Sequence, residues 1–216
     1  NIINMYKYFT DDHYLYVVLE YCQGGSLKDL IQQNGRIRSA NLYNYCRQMI
    51  TALKHCHDLK IAHNDIKPAN VLIDKNQRLK LADFGLSKGF SPNLVYANTN
   101  NTNNQNAHSI DQNGQILIKR FAGSRPYMSP EILNYTAYDP FKADIWALGV
   151  TFYEIATGHL PWKTTDFRSM HLQISVGIFS FENASSKYIF PIFSLSTPLI
   201  FILYSFATLT KKFSNA

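Results

Sequence analysis

His63-Asn64-Asp65-Ile66-Lys67-Pro68-Ala69-Asn70 and, one short hairpin later, Asp83-Phe84-Gly85 decide the reading of this chain of 216 residues. Residues 71–74 and 79–82 are two short apolar runs with β-branched members, separated by the polar Lys75-Asn76-Gln77-Arg78. That pattern predicts two antiparallel strands joined by a tight turn. Antiparallel pairing brings the outer ends of the strands together, so Asn70, before the first, and Asp83, after the second, are expected side by side. An amide oxygen and a carboxylate at such a place suit magnesium, which takes few protein ligands and fills its shell with water and phosphate oxygens. Asp65, upstream in the same loop, can orient or accept the proton of an attacking hydroxyl. Lys67 can neutralise charge on a transferring phosphoryl group.

Each fragment has a bland alternative. Asp-Phe-Gly alone is a common turn, and a lone Asp65 is more often a helix cap or a solvated charge. Their joint order and spacing around one apolar hairpin is what chance does not supply. On these residues the chain resembles a eukaryotic-type protein kinase of the serine/threonine type. The resemblance implies an α+β, protein-kinase-like fold: a mostly helical large lobe with a short β hairpin, and remnant strands of a small lobe that is largely missing. It implies ATP and Mg2+ as cofactors and a protein substrate with a Ser or Thr acceptor. It casts Asp65 and Lys67 as catalytic and Asn70 and Asp83 as metal-holding. His63, Phe84, Gly85 and Asp144 become structural, with His63 packing near Phe84 and Asp144 bracing the catalytic loop through its backbone.

The resemblance extends outward from that loop. Residues 14–20 alternate and are rich in Val, Leu and Tyr, as a strand requires. They lead into Glu20-Tyr21-Cys22-Gln23-Gly24-Gly25, which resembles the hinge between two kinase lobes. Leu19 then falls at the gatekeeper position, the backbone of Glu20 and Cys22 faces the adenine, and Leu72 lies beneath it. Ser26 with Asp29 predicts a capping box. Leu42, Tyr45, Cys46, Met49, Leu53 and Cys56 recur at helical spacing and predict a long amphipathic helix with those side chains in the core. Gly123-Ser124-Arg125-Pro126-Tyr127-Met128-Ser129-Pro130-Glu131 resembles the end of an activation segment, in which Ser124 contacts the catalytic lysine and aspartate. Ser129 stands where many members have Ala. Asp144-Ile145-Trp146-Ala147-Leu148-Gly149 resembles the start of the buried central helix, apolar almost all round and stopped at Gly158. The motif texture is also similar to the calcium/calmodulin-dependent group. Ser26 and Ala69 stand where arginine-directed members often hold acids, so no such specificity is implied.

Three departures shape the functional expectation. No glycine-rich loop and no lysine in a Val-Ala-Ile-Lys context precede the hinge, and Lys7 sits too close to it to serve. The chain is therefore expected to be part of a longer kinase and inactive by itself, because phosphoryl transfer depends on positioning the phosphates. The alternative is a pseudokinase or scaffold that binds proteins without turnover. Second, Asn64 occupies the place of the arginine that pairs with an activation-loop phosphate. A neutral amide cannot make that bidentate contact, so activity is expected not to run through it. Third, residues 91–115 read as an Asn-rich insertion in the activation loop, and its polar run 98–106 is expected to be disordered.

The resulting layout is a partial kinase domain over 1–187, with remnant strands over 1–19, hinge over 20–25 and large lobe over 26–187, then an apolar tail over 188–216. In the family a downstream arginine pairs with the glutamate at the Glu131 position, but the last arginine here is Arg168, so Glu131 is expected to lack that partner. Residues 188–210 carry no charge and are about long enough to span a bilayer, yet Pro191, Pro198 and several hydroxyl residues disfavour an anchor. With 46% hydrophobic residues the chain can bury one large core, and a formal charge of +6 without basic runs argues against nucleic acid. Three cysteines without close pairing fit a reducing, intracellular setting, and Cys46 and Cys56 lie about 15 Å apart on one predicted helix, too far for a disulfide. Cys56, His57 and His63 lack a fourth ligand at zinc spacing and read as core or loop residues.

Overall fold

The computed structural model describes residues 1–90, 108–111 and 114–177. β1 (Met5–Thr10) and β2 (Leu15–Leu19) form an antiparallel ribbon, its turn closed by Asp11, whose carboxylate accepts the amides of His13 and Tyr14. All of its residues are exposed, including Tyr6, Tyr8, Tyr14 and Leu15. Residues 20–25 then join the body through Gly24 and Gly25, which exchange backbone hydrogen bonds with Ile73.

α1 (Leu27–Asn34) opens on the predicted capping box: the Ser26 hydroxyl accepts the Asp29 amide while Asp29 accepts from the Ser26 amide, satisfying two first-turn donors. α2 (Ser39–Asp58) buries Leu42, Tyr45, Cys46, Met49, Leu53 and Cys56 on one face, as their spacing requires. β3 (Ile61–Ala62) follows and pairs with β6 (Lys88–Gly89). Between them β4 (Val71–Ile73) and β5 (Leu79–Leu81) form the expected hairpin, with Val71 opposite Leu81. Asp74, nearly fully buried, organises its turn by accepting the amides of Asn76 and Arg78 and the Arg78 guanidinium.

β7 (His108–Ile110) and β8 (Ile116–Ile118) form a second small hairpin, anchored by reciprocal backbone bonds between Ile118 and Tyr138. Of the residues read as an Asn-rich insertion, 91–115, those at 108–110 are paired strand, because Ile116, Leu117 and Ile118 supply apolar surface that Asn-rich sequence lacks, and Ile118 is buried. The run 98–106 lies outside the described residues. So does the tail 188–216. Among the described residues no helix is long and apolar enough to cross a membrane.

The central helix starts earlier than its motif suggested. α3 (Pro130–Leu133) is a single turn, and α4 (Pro140–Thr157) begins at Pro140, with the Asp139 side chain capping the amides of Phe141 and Lys142. α5 (Phe167–Val176) follows. α4 separates two apolar clusters. Ala147, Leu148, Phe152 and Ile155 face α1, α2 and the β4–β5 hairpin, while Ala143, Trp146 and Val150 face Met128, Leu133, Trp162 and Ile174. A helix with core on both sides needs apolar residues all round, which is why its sequence shows so little amphipathic bias. Gly158 ends it at φ 88°, and a Cβ there would lie 1.9 Å from the Gly35 carbonyl oxygen. Only glycine lets the ends of α1 and α4 meet so closely.

Candidate active site

The loop 63–70 is held by its backbone from below. Asp144 on α4, 1% exposed, accepts the His63 amide at 2.8 Å and the Asn64 amide at 2.7 Å. It also meets His57 Nε2 of α2 at 2.9 Å, so three elements converge on one buried carboxylate. His63 is fully buried, its ring edge-on to Phe84 with centroids 4.8 Å apart and its Nε2 3.0 Å from the Ala82 carbonyl oxygen. Burial, more than any charge, pushes its pKa below the ordinary 6.5, against the opposing pull of Asp144.

That depression has a consequence for acid stability. Below pH 6.5 the unfolded chain takes up a proton that the folded chain refuses, so acidification lowers stability until the folded-state pKa is reached. Urea titrations between pH 7 and 5 are expected to show this loss, at most about 1.4 kcal/mol per pH unit for one proton. Replacing His63 by Gln should remove that component of the slope.

Above this frame the polar side chains meet. Lys67 Nζ lies 2.6 Å from Asp65 Oδ2 and donates to Ser124 Oγ at 2.8 Å. Asn70 Nδ2 donates to both the carbonyl and Oδ2 of Asp65, at 2.9 Å each. The Ser124 amide donates to Asp65 Oδ1 at 3.0 Å. Burial raises the Asp65 carboxyl, but the Lys67 ammonium, Ser124 and Asn70 together hold it below the ordinary 3.8. With one donor on Oδ1 and two on Oδ2, Oδ1 keeps an acceptor position for a further hydroxyl.

Asn70 and Asp83 flank the hairpin as the pairing predicted: the Ala82 amide donates to the Asn70 carbonyl at 2.9 Å. Because the Asn70 amide nitrogen is engaged with Asp65, its Oδ1 is the atom that could accept a cation. Asp83 adopts left-handed backbone geometry at φ 60°, and its Oδ1 accepts the Gly85 amide at 3.3 Å. Asn64 is likewise left-handed at φ 65°. Asn and Asp tolerate that region better than other non-glycine residues, and such strained positions gather where geometry serves function. An amide oxygen and a carboxylate oxygen form a hard donor pair that fits Mg2+.

The activation-segment residues approach from the other side. Gly123, at φ 110°, passes so close to the loop that a Cβ would fall 2.8 Å from the Asn64 carbonyl oxygen, and this brings Ser124 onto Asp65. Asn64 donates to the Leu86 carbonyl at 3.0 Å, and Arg120 reaches the same oxygen at 3.3 Å. Glu131 sits in the first turn of α3 and makes no ion pair among the described residues.

The stretch 19–25, read from the sequence as gatekeeper and hinge, is more open. Leu19 is 44% exposed, while Leu72 and Cys22 are half-buried. The Glu20 carboxylate turns away to Lys80 Nζ at 2.9 Å and to Asn4, its amide donates to the Asn4 carbonyl, and the Cys22 carbonyl accepts from Gly25. Motif reading missed His57 and the buried Glu154, which pairs with Lys28 at 2.7 Å and accepts the Tyr127 hydroxyl. No local signal marks them, since partners as distant as Lys28 and Glu154 meet only once α1 and α4 pack.

The family model described as protein kinase domain matches residues 1–194, and the chain belongs to that family. It is 33% identical over 180 residues, 83% of its length, to CBL-interacting serine/threonine-protein kinase 24 of Arabidopsis thaliana, covering 36% of that protein. It is 31% identical over 180 residues to CBL-interacting protein kinase 24 of Oryza sativa subsp. japonica, covering 83% of this chain and 35% of the relative. It is 32% identical over 180 residues to a probable serine/threonine-protein kinase of Dictyostelium discoideum, covering 83% of this chain and 19% of the relative. The chain thus spans about a third or less of the curated relatives it matches. Its mixed helices and small sheets are those of a kinase-like fold.

Proposed function

We propose that the protein to which this chain belongs transfers the γ-phosphoryl group of ATP to a Ser or Thr hydroxyl of a protein substrate. The observation that carries the proposal is the convergence on Asp65 of Lys67, Asn70 and the Ser124 amide. Oδ1 of Asp65 receives the acceptor hydroxyl and orients its oxygen toward the phosphorus. A carboxylate held at low pKa is a weak base, which suits a loose transition state in which the hydroxyl keeps its proton until late. Lys67, bridging Asp65 and Ser124, neutralises charge on the moving phosphoryl oxygens. Asn70 and Asp83 hold Mg2+, which supplies charge neutralisation at the phosphates when bound. At the hinge, the Glu20 carbonyl and Cys22 amide face the adenine, between Leu19 and Leu72.

In this reading residues 1–187 form the large lobe, hinge and remnant small-lobe strands of a kinase domain. The ATP phosphates need a further clamp, since the 216 residues carry no glycine-rich loop or matching lysine ahead of the hinge. The 216-residue chain is therefore expected to show no phosphate transfer above background with radiolabelled ATP and a mixed protein substrate. A protein extended upstream through such a loop is expected to turn over. Transfer by the short chain that disappears in Asp65→Asn would overturn the clamp requirement. Silence of an extended protein carrying the loop and lysine would favour a second reading, a pseudokinase or scaffold, for which the exposed aromatic surface of the β1–β2 ribbon speaks.

A further inference from the structure

The carbonyl of Leu86, the residue after Asp83-Phe84-Gly85, is a meeting point that the chemistry above leaves unused. A carbonyl oxygen offers two acceptor positions, and both are filled here. Asn64 Nδ2 donates to it at 3.0 Å from the loop 63–70, and Arg120 Nη1 at 3.3 Å from the segment that leads to Ser124. Among the described residues the Arg120 guanidinium has no carboxylate in ion-pair range, so this oxygen is the acceptor that places it. Nearby, burial first and then the Arg120 charge lower the pKa of Lys88. The guanidinium is therefore held beside another cation, not drawn there by an acid.

The segment that carries Arg120 is fixed on its far side. Ile118 exchanges backbone bonds with Tyr138, the Tyr138 hydroxyl donates to the Arg120 carbonyl at 3.0 Å, and Phe121 stacks on Tyr135 with centroids 4.8 Å apart. Toward the loop it is fixed by three other contacts: Arg120 on Leu86, the close pass of Gly123 over Asn64, and the Ser124 amide on Asp65. Of these three, Arg120 alone reaches the turn that carries Asp83. Asn64 joins the parts, since its amide is on Asp144 and its side chain is on Leu86.

We propose that Arg120 is a positioning residue: its guanidinium, sharing the Leu86 carbonyl with Asn64, couples Ser124 and Asp65 to the turn bearing Asp83, so that the acceptor and metal sides of the site are set together without a phosphate group. The inference rests on the kinase reading above. Arg120 acts only through the groups it holds. Loss of its contact lets Ser124 drift from Asp65, and small displacements of positioned groups are costly to the chemical step.

The test uses the upstream-extended protein with Arg120→Met, which keeps the stem and removes every donor, and Arg120→Lys, which keeps the charge and one donor group. In Arg120→Met kcat should fall about tenfold or more, the scale of one lost charge-assisted hydrogen bond, with the KM for ATP unchanged. Arg120→Lys should recover most of that loss. Hydrogen exchange should show the Ser124 amide losing protection in Arg120→Met while the His63 amide, held on Asp144, keeps its own. A general loss of folding would move both amides. Phosphatase treatment of the wild type, which needs no variant, should leave the Ser124 amide protected. Unchanged kcat or unchanged Ser124 protection in Arg120→Met overturns the inference and leaves the kinase reading intact. So does loss of that protection on phosphatase treatment, since a phosphate would then be holding the segment. Absence of turnover on any substrate overturns the kinase reading instead, and the exchange measurements still decide the role of Arg120.

Discussion

Replacing Asp65 by Asn is expected to lower kcat of the upstream-extended protein by about 10²–10⁴-fold, the range lost when a positioned acid–base group is removed. The KM for ATP should change little, because the proposed adenine contacts lie at Glu20, Cys22 and Leu72. The structure gives a second reason for a large effect. Asp65 accepts Lys67 and Asn70 on one oxygen and the Ser124 amide on the other, so an amide nitrogen in either position would face a donor. Lys67 would lose the anion that aims it, and Ser124 would lose its anchor in one of the two amide orientations. Single-turnover measurements with prebound ATP separate this loss from any change in nucleotide affinity. A fall of less than about tenfold would show that Asp65 neither orients nor deprotonates the acceptor.

Much of this site was legible because its geometry is local. Asn70 and Asp83 are placed at the paired ends of a hairpin whose two strands announce themselves by apolar, β-branched composition, and antiparallel pairing does the rest. The capping box at Ser26 and Asp29 and the buried face of α2 were legible for the same reason: each is a property of one element and its period. Residues whose role depends on packing between elements were not. His57 lies on α2 and Asp144 on α4, and nothing in either helix pattern says that they touch. The β7–β8 hairpin was obscured by the Asn-rich run before it, although Ile116-Leu117-Ile118 opposite His108-Ser109-Ile110 carries the apolar residues from which a strand pair is built. The start of α4 was misplaced because the motif draws the eye to Asp144, whereas the helix is begun by the Asp139-Pro140 cap, a signal that was present and unread.

The strongest structural consequence falls on Asp144. Truncation to Ala should cost about 3–5 kcal/mol, as expected when one partner of a buried charged network is deleted. The carboxylate accepts the amides of His63 and Asn64 and meets His57, while being 1% exposed, so its removal leaves backbone donors facing a cavity with no replacement acceptor. Those two amides belong to the residues immediately before Asp65. Losing them therefore frees the loop that aims Asp65, Lys67 and Asn70, and stability and site geometry should fail together. Asp144→Asn keeps one acceptor oxygen but turns an NH2 toward a second donor, and should lie between wild type and Ala. His57→Ala removes only the partly buried partner, whose side chain is 18% exposed, and should cost about 1 kcal/mol, the scale of a single hydrogen bond. Urea unfolding of the four proteins, with hydrogen exchange of the His63 and Asn64 amides, reads both effects. If Asp144→Ala unfolds within about 1 kcal/mol of wild type with those amides still protected, the loop is held by its own turns and by Gly123 packing over Asn64, and α4 is a passive floor beneath it.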